Sequence, residues 1–338
     1  RETGALVAAA QAGDQDAFAA LTGRYRREIQ VHCYRMLGSI EDAEDAVQET
    51  LLRAWRKRET FGARSTFRAW LYGIATNTCL DALERRSRRF MPPDVALAAD
   101  PLAIPAPASE IPWLEPYPDR LLEQVADDGL GPDETYVARE TIELAFLAAI
   151  QHLPPRQRAV LILRDVLGWS ARETAEMVGT SVIAGNSALQ RGRETLKQHL
   201  PERRTEWTKT RTPDADEQLL LERYLDAWSR MDVDALVALL ADDARLAMPP
   251  TPAWYSGREA IAAFFANLPF RPAARRHFHV PTRANRQPAF AVFLAGDPGA
   301  APRPFAIEVL RLENGLIAEI DIFLQPALFE HFAVTAPA

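Results

Sequence analysis

Cysteine, long apolar runs and excess positive charge are all scarce in this chain of 338 residues. Its two cysteines, Cys33 and Cys79, lack metal-ligand spacing, which argues against a disulfide scaffold or a cysteine zinc site. We expect reduced, partly buried thiols in a cytoplasmic protein; a redox pair joining their helices is the alternative. No apolar run is long enough to cross a bilayer, and the first residues lack a charged-then-apolar signal pattern, so no membrane association is expected.

The positive charge that is present is distributed unevenly. The formal net charge is −7, yet residues 1–90 and 150–204 carry net charges of +3 and +4. Residues 91–149 between them hold twelve acidic and two basic side chains. Because affinity for nucleic acid comes chiefly from neutralising phosphates, neither basic segment is expected to bind DNA tightly unaided.

The first ninety residues have the apolar periodicity of helices. Residues 42–58 predict one amphipathic helix, whose polar face carries Asp45, Gln48 and Glu49. A second helix is predicted over Phe67–Arg89, ending in a solvated cationic tail.

Residues 91–132 contain nine of the 25 prolines. Proline restricts its own φ and the conformation of the preceding residue, so we expect a linker without regular helix or sheet. One stretch of it is too apolar for a passive spacer and predicts a docked segment. Its residues are Trp113, Leu114, Glu115, Pro116 and Tyr117.

Residues 133–200 predict a second helical module. Ser170 and Glu173 form a capping box, Gly179-Thr180-Ser181 makes a turn, and Val182–His199 is the next helix. Val182, Gly185, Leu189, Gly192 and Leu196 share its inward face. The outward face has amide, hydroxyl and guanidinium groups of the kind that read base edges in a major groove, although a solvated polar face is the alternative. The DNA-contacting residues predicted there are Ser181, Ile183, Asn186, Ser187, Gln190 and Arg191.

Residues 215–338 change in character. Helical periodicity is followed by two apolar runs that flank Asn314-Gly315, a hairpin signal. Helices followed by an antiparallel hairpin predict an α+β domain.

The helix Asp42–Trp55 and the helix that includes Asn186–Arg191 together resemble regions 2 and 4 of sigma-70-type factors, in the short extracytoplasmic-function (ECF) form. The resemblance implies region 2 at 5–90, a linker at 91–132 and region 4 at 133–200, both regions being all-α. It also implies a bacterial transcription initiation factor whose partners are promoter DNA and the clamp and flap regions of core RNA polymerase, with no cofactor or metal.

The same resemblance assigns roles to three sets of residues. The helix Val182–His199 would bind the minus-35 element. Asp45, Gln48 and Glu49 would bind the polymerase clamp. The minus-10 element would be read and melted by Arg64, Ser65, Asn77, Arg85 and Arg86.

Residues 215–338 resemble the SnoaL-like, cone-shaped α+β fold in Tyr224–Trp228, Trp254–Ile261 and the final hairpin. The resemblance implies an apolar pocket, and hence a small-molecule ligand as a further partner. We expect a regulatory domain that restrains the two DNA-reading modules; an enzyme (cyclase, isomerase or hydrolase) and a polymerase-independent repressor are the alternatives. Candidate pocket residues are Trp228, Trp254, His277 and Asp321, with His279 and Phe290 beside them.

Overall fold

A computed structural model describes residues 2–62, 66–85, 87–123, 142–200, 215–270, 276–296 and 301–337. The chain divides into two compact units. The first comprises Arg1–Arg89 and Leu121–Lys209, and the second comprises Phe90–Arg120 and Thr210–Ala338. Residues 90–120, from the sequence's linker, therefore group with the C-terminal residues.

Helices make up all the regular structure described in the first unit, and several more precede or follow the strands of the second. In chain order they are α1 (Glu2–Gln11), α2 (Gln15–Gly23), α3 (Arg26–Leu37), α4 (Ile40–Arg56), α5 (Phe67–Arg85), α6 (Pro92–Val95), α7 (Asp119–Glu123), α8 (Leu144–Gln151), α9 (Pro155–Leu161), α10 (Ala171–Val178), α11 (Val182–His199), α12 (Ala215–Arg230), α13 (Val233–Val237), α14 (Arg258–Asn267) and α15 (Phe329–Phe332). Among the described helices, none has both the length and the apolar character needed to span a bilayer.

Local side chains define the helix-turn-helix formed by α10 and α11. Ser170 and Glu173 cap α10 reciprocally, as predicted, and Gly179 ends it at a φ of 67°. Ser181 Oγ then accepts a hydrogen bond from Ala184 N at 3.2 Å and starts α11. The predicted turn and the bounds of α11 are therefore confirmed.

The prediction for the end of α5 was wrong. The helix stops at Arg85, and residues 87–89 are not helical. The tail is only partly solvated: Glu84, Arg85 and Ser87 are exposed, whereas Arg89 forms an ion pair with Asp42 and Arg88 Nη1 lies 2.5 Å from His152 Nδ1.

The prediction that the linker holds no regular structure was partly wrong. Pro92 and Pro93 occupy the first turn of α6, where the missing proline N–H has no helical partner to lose. The whole of α7 also lies in the predicted linker. Most of the remaining described linker is irregular, as expected.

The second unit contains one six-stranded mixed sheet, confirming the α+β prediction. Its strands are β1 (Leu240–Ala247), β2 (Trp254–Ser256), β3 (Arg276–Ala284), β4 (Gln287–Ala295), β5 (Arg303–Glu313) and β6 (Leu316–Phe323), in the order β2-β1-β6-β5-β4-β3. β1 pairs parallel to β6, and every other pairing is antiparallel. Asn314 and Gly315, with φ values of 51° and 75°, form the predicted turn between β5 and β6. Apolar side chains of α12 and α14 pack with the sheet in one core.

Candidate functional site

The predicted DNA-reading residues share one exposed surface of α11. Its polar members can reach a ligand without rearrangement, and Ile183 is the most exposed apolar side chain of the helix, at 81%. The residues are Ser181, Ile183, Asn186, Ser187, Gln190 and Arg191, all exposed.

The opposite surface of α11 packs inward. Gly185, Leu189, Gly192 and Leu196 are buried, as the periodicity predicts. Val182 was wrongly placed in this set, since it is 40% exposed. It is the first residue of α11.

A second exposed surface lies on α4. Asp45 and Gln48 are exposed, and Leu52, one turn further on, is 52% exposed. Glu49 is half-buried, and its Oε1 accepts a hydrogen bond from Arg53 Nε at 2.6 Å. Arg53 Nη1 also contacts Asp81 Oδ2 at 2.5 Å, so Glu49 belongs to an ion-pair network that ties α4 to α5.

The minus-10 candidates are only partly placed. Arg85 is exposed at the end of α5, whereas Arg64, Ser65 and Arg86 lie outside the described residues. The side-chain amide of Asn77 is occupied, because its Nδ2 donates hydrogen bonds to Gly73 O at 2.7 Å and to Met177 O at 2.8 Å. Met177 belongs to α10, so the structure brings a minus-10 candidate onto the helix that precedes α11.

Further contacts hold α10, and Trp169 just before it, against α5. A β-carbon added to Gly73 would lie 3.7 Å from the Met177 backbone, which shows how closely the two helices approach. Trp169 lies beside the ring of Tyr72, with centroids 5.5 Å apart, and beneath the guanidinium of Arg68 at 4.9 Å. Arg68 is itself fixed by the buried carboxylate of Glu28, at 2.8 Å.

A buried arginine makes a second connection between the two helical modules. Arg158, on α9, is 1% exposed, and its Nη1 donates to Met36 O, at 2.6 Å, and to Gln151 Oε1, at 2.9 Å. Its Nη2 donates to Gln151 O at 2.9 Å. Burial lowers the pKa of Arg158 to about 10, so the guanidinium remains charged at neutral pH. No sequence pattern marked this residue, because one acceptor, Met36 O, is 122 residues away and the nearer ones lie at the end of α8 and just after it.

In the second unit the linker packs on the C-terminal domain. Trp113, Leu114 and Tyr117 of the predicted docked segment are each at most 4% exposed. The backbone of Tyr117 exchanges hydrogen bonds with Asn285: Tyr117 N donates to Asn285 Oδ1 at 2.7 Å, and Asn285 N donates to Tyr117 O at 2.9 Å. Asp119 Oδ1 accepts from Arg286 N at 2.8 Å.

The C-terminal domain encloses a cavity of about 530 Å³. Its walls are mainly apolar, and the linker supplies part of them through Ile104, Pro105 and Pro107. The predicted residues Trp228 and His277 line it, as does His279.

Trp254 and Asp321 do not line this cavity, so the sequence placed them wrongly. Trp254 Nε1 instead donates to Ala96 O of the linker at 2.9 Å. Side chains alternate along a strand, and the neighbour of Asp321, Ile322, is the one that lines the cavity. Asp321 therefore points to the other face of the sheet. Burial, followed by the charge of Glu319, raises its pKa well above the usual range.

The polar group that sequence reasoning missed in the cavity is Glu308. Burial raises the pKa of Glu308 to about 7, against the opposing effect of the hydrogen bond that Tyr224 Oη donates to Glu308 Oε1. Burial, helped by His277, lowers the pKa of His279 to about 3. A lone carboxylate within the apolar run Phe305–Leu310 was the signal that could have revealed this site.

The two cysteines are free and buried. A hydrogen bond with Cys33, together with burial, raises the pKa of Cys79 well above its ordinary value. Since the thiolate is the reactive form, this environment disfavours thiol chemistry at neutral pH.

Comparison with known proteins gives matches to three family models: Sigma-70 region 2 at residues 21–89, Sigma-70, region 4 at residues 143–196, and the SnoaL-like domain at residues 221–320. The chain is 43% identical over 321 residues to the ECF RNA polymerase sigma factor SigG of Mycobacterium tuberculosis, covering 94% of this chain and 84% of the relative. It is 32% identical over 188 residues to the ECF RNA polymerase sigma factor SigW of Bacillus subtilis, covering 56% of this chain and 91% of that one.

A solved structure shows the same fold over nearly the whole chain. The crystal structure of the Mycobacterium tuberculosis ECF sigma factor SigJ matches with a TM-score of 0.61 at 20% identity, covering 94% of this chain and 99% of that one. The two sigma-70 regions, the SnoaL-like domain and the near full-length similarity to SigG agree with one another. The chain belongs to the ECF sigma factors of RNA polymerase and carries a SnoaL-like domain after region 4.

Proposed function

We propose that this sigma factor directs core RNA polymerase to promoters through separate surfaces on regions 2 and 4, and that its C-terminal domain regulates this activity. The observation that supports promoter recognition most strongly is the surface of α11. Six candidate side chains are exposed there on a helix whose other face is buried. Asn186 and Gln190 suit adenine, and Arg191 suits guanine or phosphate, so this helix is the proposed minus-35 reader.

Region 2 supplies the other two proposed surfaces. Asp45 and Gln48, with exposed Leu52 beside them, would meet the polymerase clamp, and an acidic patch suits a basic partner. Asn77 and Arg85 would take part in reading and holding the minus-10 strand. Because the Asn77 amide is bonded to Met177 O, α10 would have to leave α5 before that amide could hold a base.

The C-terminal domain is the proposed regulator, acting through the linker that it holds. Residues 90–120 connect Arg89 to Leu121, the two points where the first unit is interrupted. The linker is therefore covalently joined to both regions, and a restraint on the linker would act on both. A SnoaL-like enzyme would instead turn over a substrate in the cavity, and a repressor would bind its operator without polymerase.

Run-off transcription with core polymerase tests the proposal. The template would be a pool of fragments from the source genome, with transcript 5′ ends sequenced. Asn186→Ala should reduce initiation at the selected promoters by about 10-fold or more, since one bidentate base contact contributes about 1–3 kcal/mol of discrimination. Lys197→Ala, an exposed change in the last turn of α11, is the matched control. If Asn186→Ala left both the choice of promoters and the transcript yield unchanged, the minus-35 role would be contradicted.

A further inference from the structure

The most informative feature outside the promoter-reading surfaces is the mixed character of the cavity in the C-terminal domain. Trp228, Phe264, Phe265 and Phe305 give it flat apolar walls. Among the described residues, the polar side chains in the lining are few: Glu308 and His279 form one polar group, and His277 and Thr251 are the others. A cavity of about 530 Å³ with this pattern has the size and composition of small-molecule sites.

The two members of this polar group do not hydrogen-bond to each other. His279 Nε2 and Glu308 Oε2 are 3.9 Å apart, too far for a direct hydrogen bond. An oxygen about 2.8 Å from each would bridge them. Within the described part of the chain, His279 Nε2 has no hydrogen-bond partner although its side chain is 3% exposed. Leaving such a buried group unpaired costs on the order of 1–3 kcal/mol, which a bridging oxygen would recover.

The electrostatics of the site disfavour a negatively charged oxygen at the bridging position. Burial raises the pKa of Glu308 to about 7 and lowers that of His279 to about 3, so at neutral pH Glu308 is partly ionised, His279 is neutral, and this pair offers an anion no compensating cation. A hydroxyl both donates and accepts, which suits a bridge between an imidazole nitrogen and a carboxyl group.

The linker completes the cavity wall between two anchoring points. Ala99 N donates to Trp254 O, and Ala108 N donates to Pro250 O, each at 2.9 Å. Between them Ile104 lines the cavity yet remains 36% exposed. A molecule in the cavity would add apolar contact beneath this segment and so favour the docked linker.

We propose that the cavity binds an uncharged, largely apolar molecule carrying a hydroxyl group, which bridges His279 and Glu308 and holds residues 99–108 against the C-terminal domain. This inference rests on the proposed regulatory function and gives it a ligand class. Bound ligand tightens the linker on the domain, and the linker's ends at Arg89 and Leu121 pass that restraint to regions 2 and 4.

The binding test uses the full-length protein and four bicyclic probes of similar shape: 2-naphthol, 2-acetylnaphthalene, 2-naphthoate and naphthalene. Affinities would be measured by fluorescence titration. 2-Naphthol should bind about 10-fold tighter than naphthalene, the ratio that corresponds to one hydrogen bond worth about 1.4 kcal/mol. It should also bind tighter than the ketone and much tighter than the anion. Equal affinity of naphthol and naphthoate would overturn the proposal.

Two variants make the test specific. His279→Phe keeps a ring but removes the nitrogen, so it should abolish the preference for naphthol over naphthalene; His331→Phe, outside the cavity lining, should retain it. Leu294→Trp, which fills space on the lining, should weaken all four probes together. A naphthol preference that survives in a folded His279→Phe protein contradicts the proposed bridge.

Hydrogen exchange then tests the connection to the linker. Saturation with 2-naphthol should slow exchange of the Ala108 amide several-fold, because that N–H is bonded only while the linker is docked. Unchanged exchange at Ala108 would overturn the linker part of the proposal. Run-off transcription distinguishes failure of the ligand proposal from failure of the proposed sigma function. If the protein initiates transcription normally but binds no naphthol, the ligand proposal is wrong and the sigma function stands.

Discussion

Asn77 Nδ2 and the backbone carbonyl of Met177, one hundred residues apart in the chain, are joined by a hydrogen bond of 2.8 Å. The bond links α5, which carries the minus-10 candidates Asn77 and Arg85, to α10, the first helix of the helix-turn-helix. In the structure, therefore, the free chain has one of its proposed base-reading groups occupied by its own region 4.

The close approach of α5 and α10 at Gly73 provides a way to open this contact. A larger side chain there meets Met177 backbone and side-chain atoms, and such overpacking typically costs about 1–3 kcal/mol. When core polymerase is present in limiting amount, we expect Gly73→Leu to raise transcription about 5-fold. The reason is that the substitution destabilises the packing of α10 against α5. Gly23→Leu, at a site with nothing within 4 Å, is the control. A fall or no change in initiation by a folded Gly73→Leu protein would argue that this contact does not restrain region 2.

Arg158 is expected to be the most sensitive polar residue of the first unit. Arg158→Met removes the donors that satisfy Met36 O and Gln151, leaving buried acceptors unpaired. The free energy of unfolding should fall by about 3 kcal/mol in urea titration. Arg172→Met, which breaks only the exposed pair with Glu176, should change it by less than about 0.5 kcal/mol. Similar small losses for both variants would refute the structural role given to Arg158.

Glu308 and His279 should show compensating pH dependences of stability. Between pH 4.5 and 6.5, unfolding transfers a proton from the Glu308 carboxyl to the His279 imidazole, because the folded pKa values are about 7 and about 3. The proton count of the pair hardly changes, so its net contribution is nearly flat with pH.

Each substitution should reveal the other member's slope. In Glu308→Gln only His279 contributes, so between about pH 4.5 and 6.5, where the wild-type pair is nearly flat, stability should rise by about 1.4 kcal/mol per pH unit relative to wild type. In His279→Phe only Glu308 contributes, and over the same range of about pH 4.5 to 6.5 stability should fall relative to wild type with a similar slope. Thermal unfolding of the three proteins at pH 5 and pH 6 checks both signs, and slopes of the same sign in the two variants would exclude the assignment.

Two glycines of the helix-turn-helix should respond oppositely to alanine. A β-carbon on Gly185 would meet only Thr180 Cγ2, at 3.8 Å, so Gly185→Ala should stabilise α11 by about 1 kcal/mol. Gly179 has a φ of 67°, which alanine adopts only with strain, so Gly179→Ala should lower the melting temperature. If alanine at 185 also lowered it, the open space described beside that position would be wrong.

The sequence predicted what local periodicity and capping determine. The bounds of α11, its buried Leu189 and Leu196, and the capping box at Ser170 follow from spacing and hydrogen-bonding capacity within a few residues. The prediction that Val182 is buried was wrong, since it is 40% exposed. Its angular position matches the buried face, but angular position alone does not determine burial at the first residue of a helix.

What could not be predicted depends on residues that are distant in sequence. The Asn77–Met177 bond and the carbonyl cluster around Arg158 require the packing of separate helices, which no spacing encodes. The cavity pair is an intermediate case. The carboxyl of Glu308 was visible as a charge within an apolar strand, but its position beside His279 follows from the pairing of β3 with β4 and of β4 with β5.

The distance between α5 and α10 in the free and polymerase-bound protein tests the central claim most directly. Spin labels would be placed on cysteines substituted at the exposed Glu84 and Glu176, since the native Cys33 and Cys79 are buried. We expect one short, narrow distance distribution in the free protein and a clearly longer one when core RNA polymerase is added in excess. An unchanged short distance with core polymerase present would contradict the account.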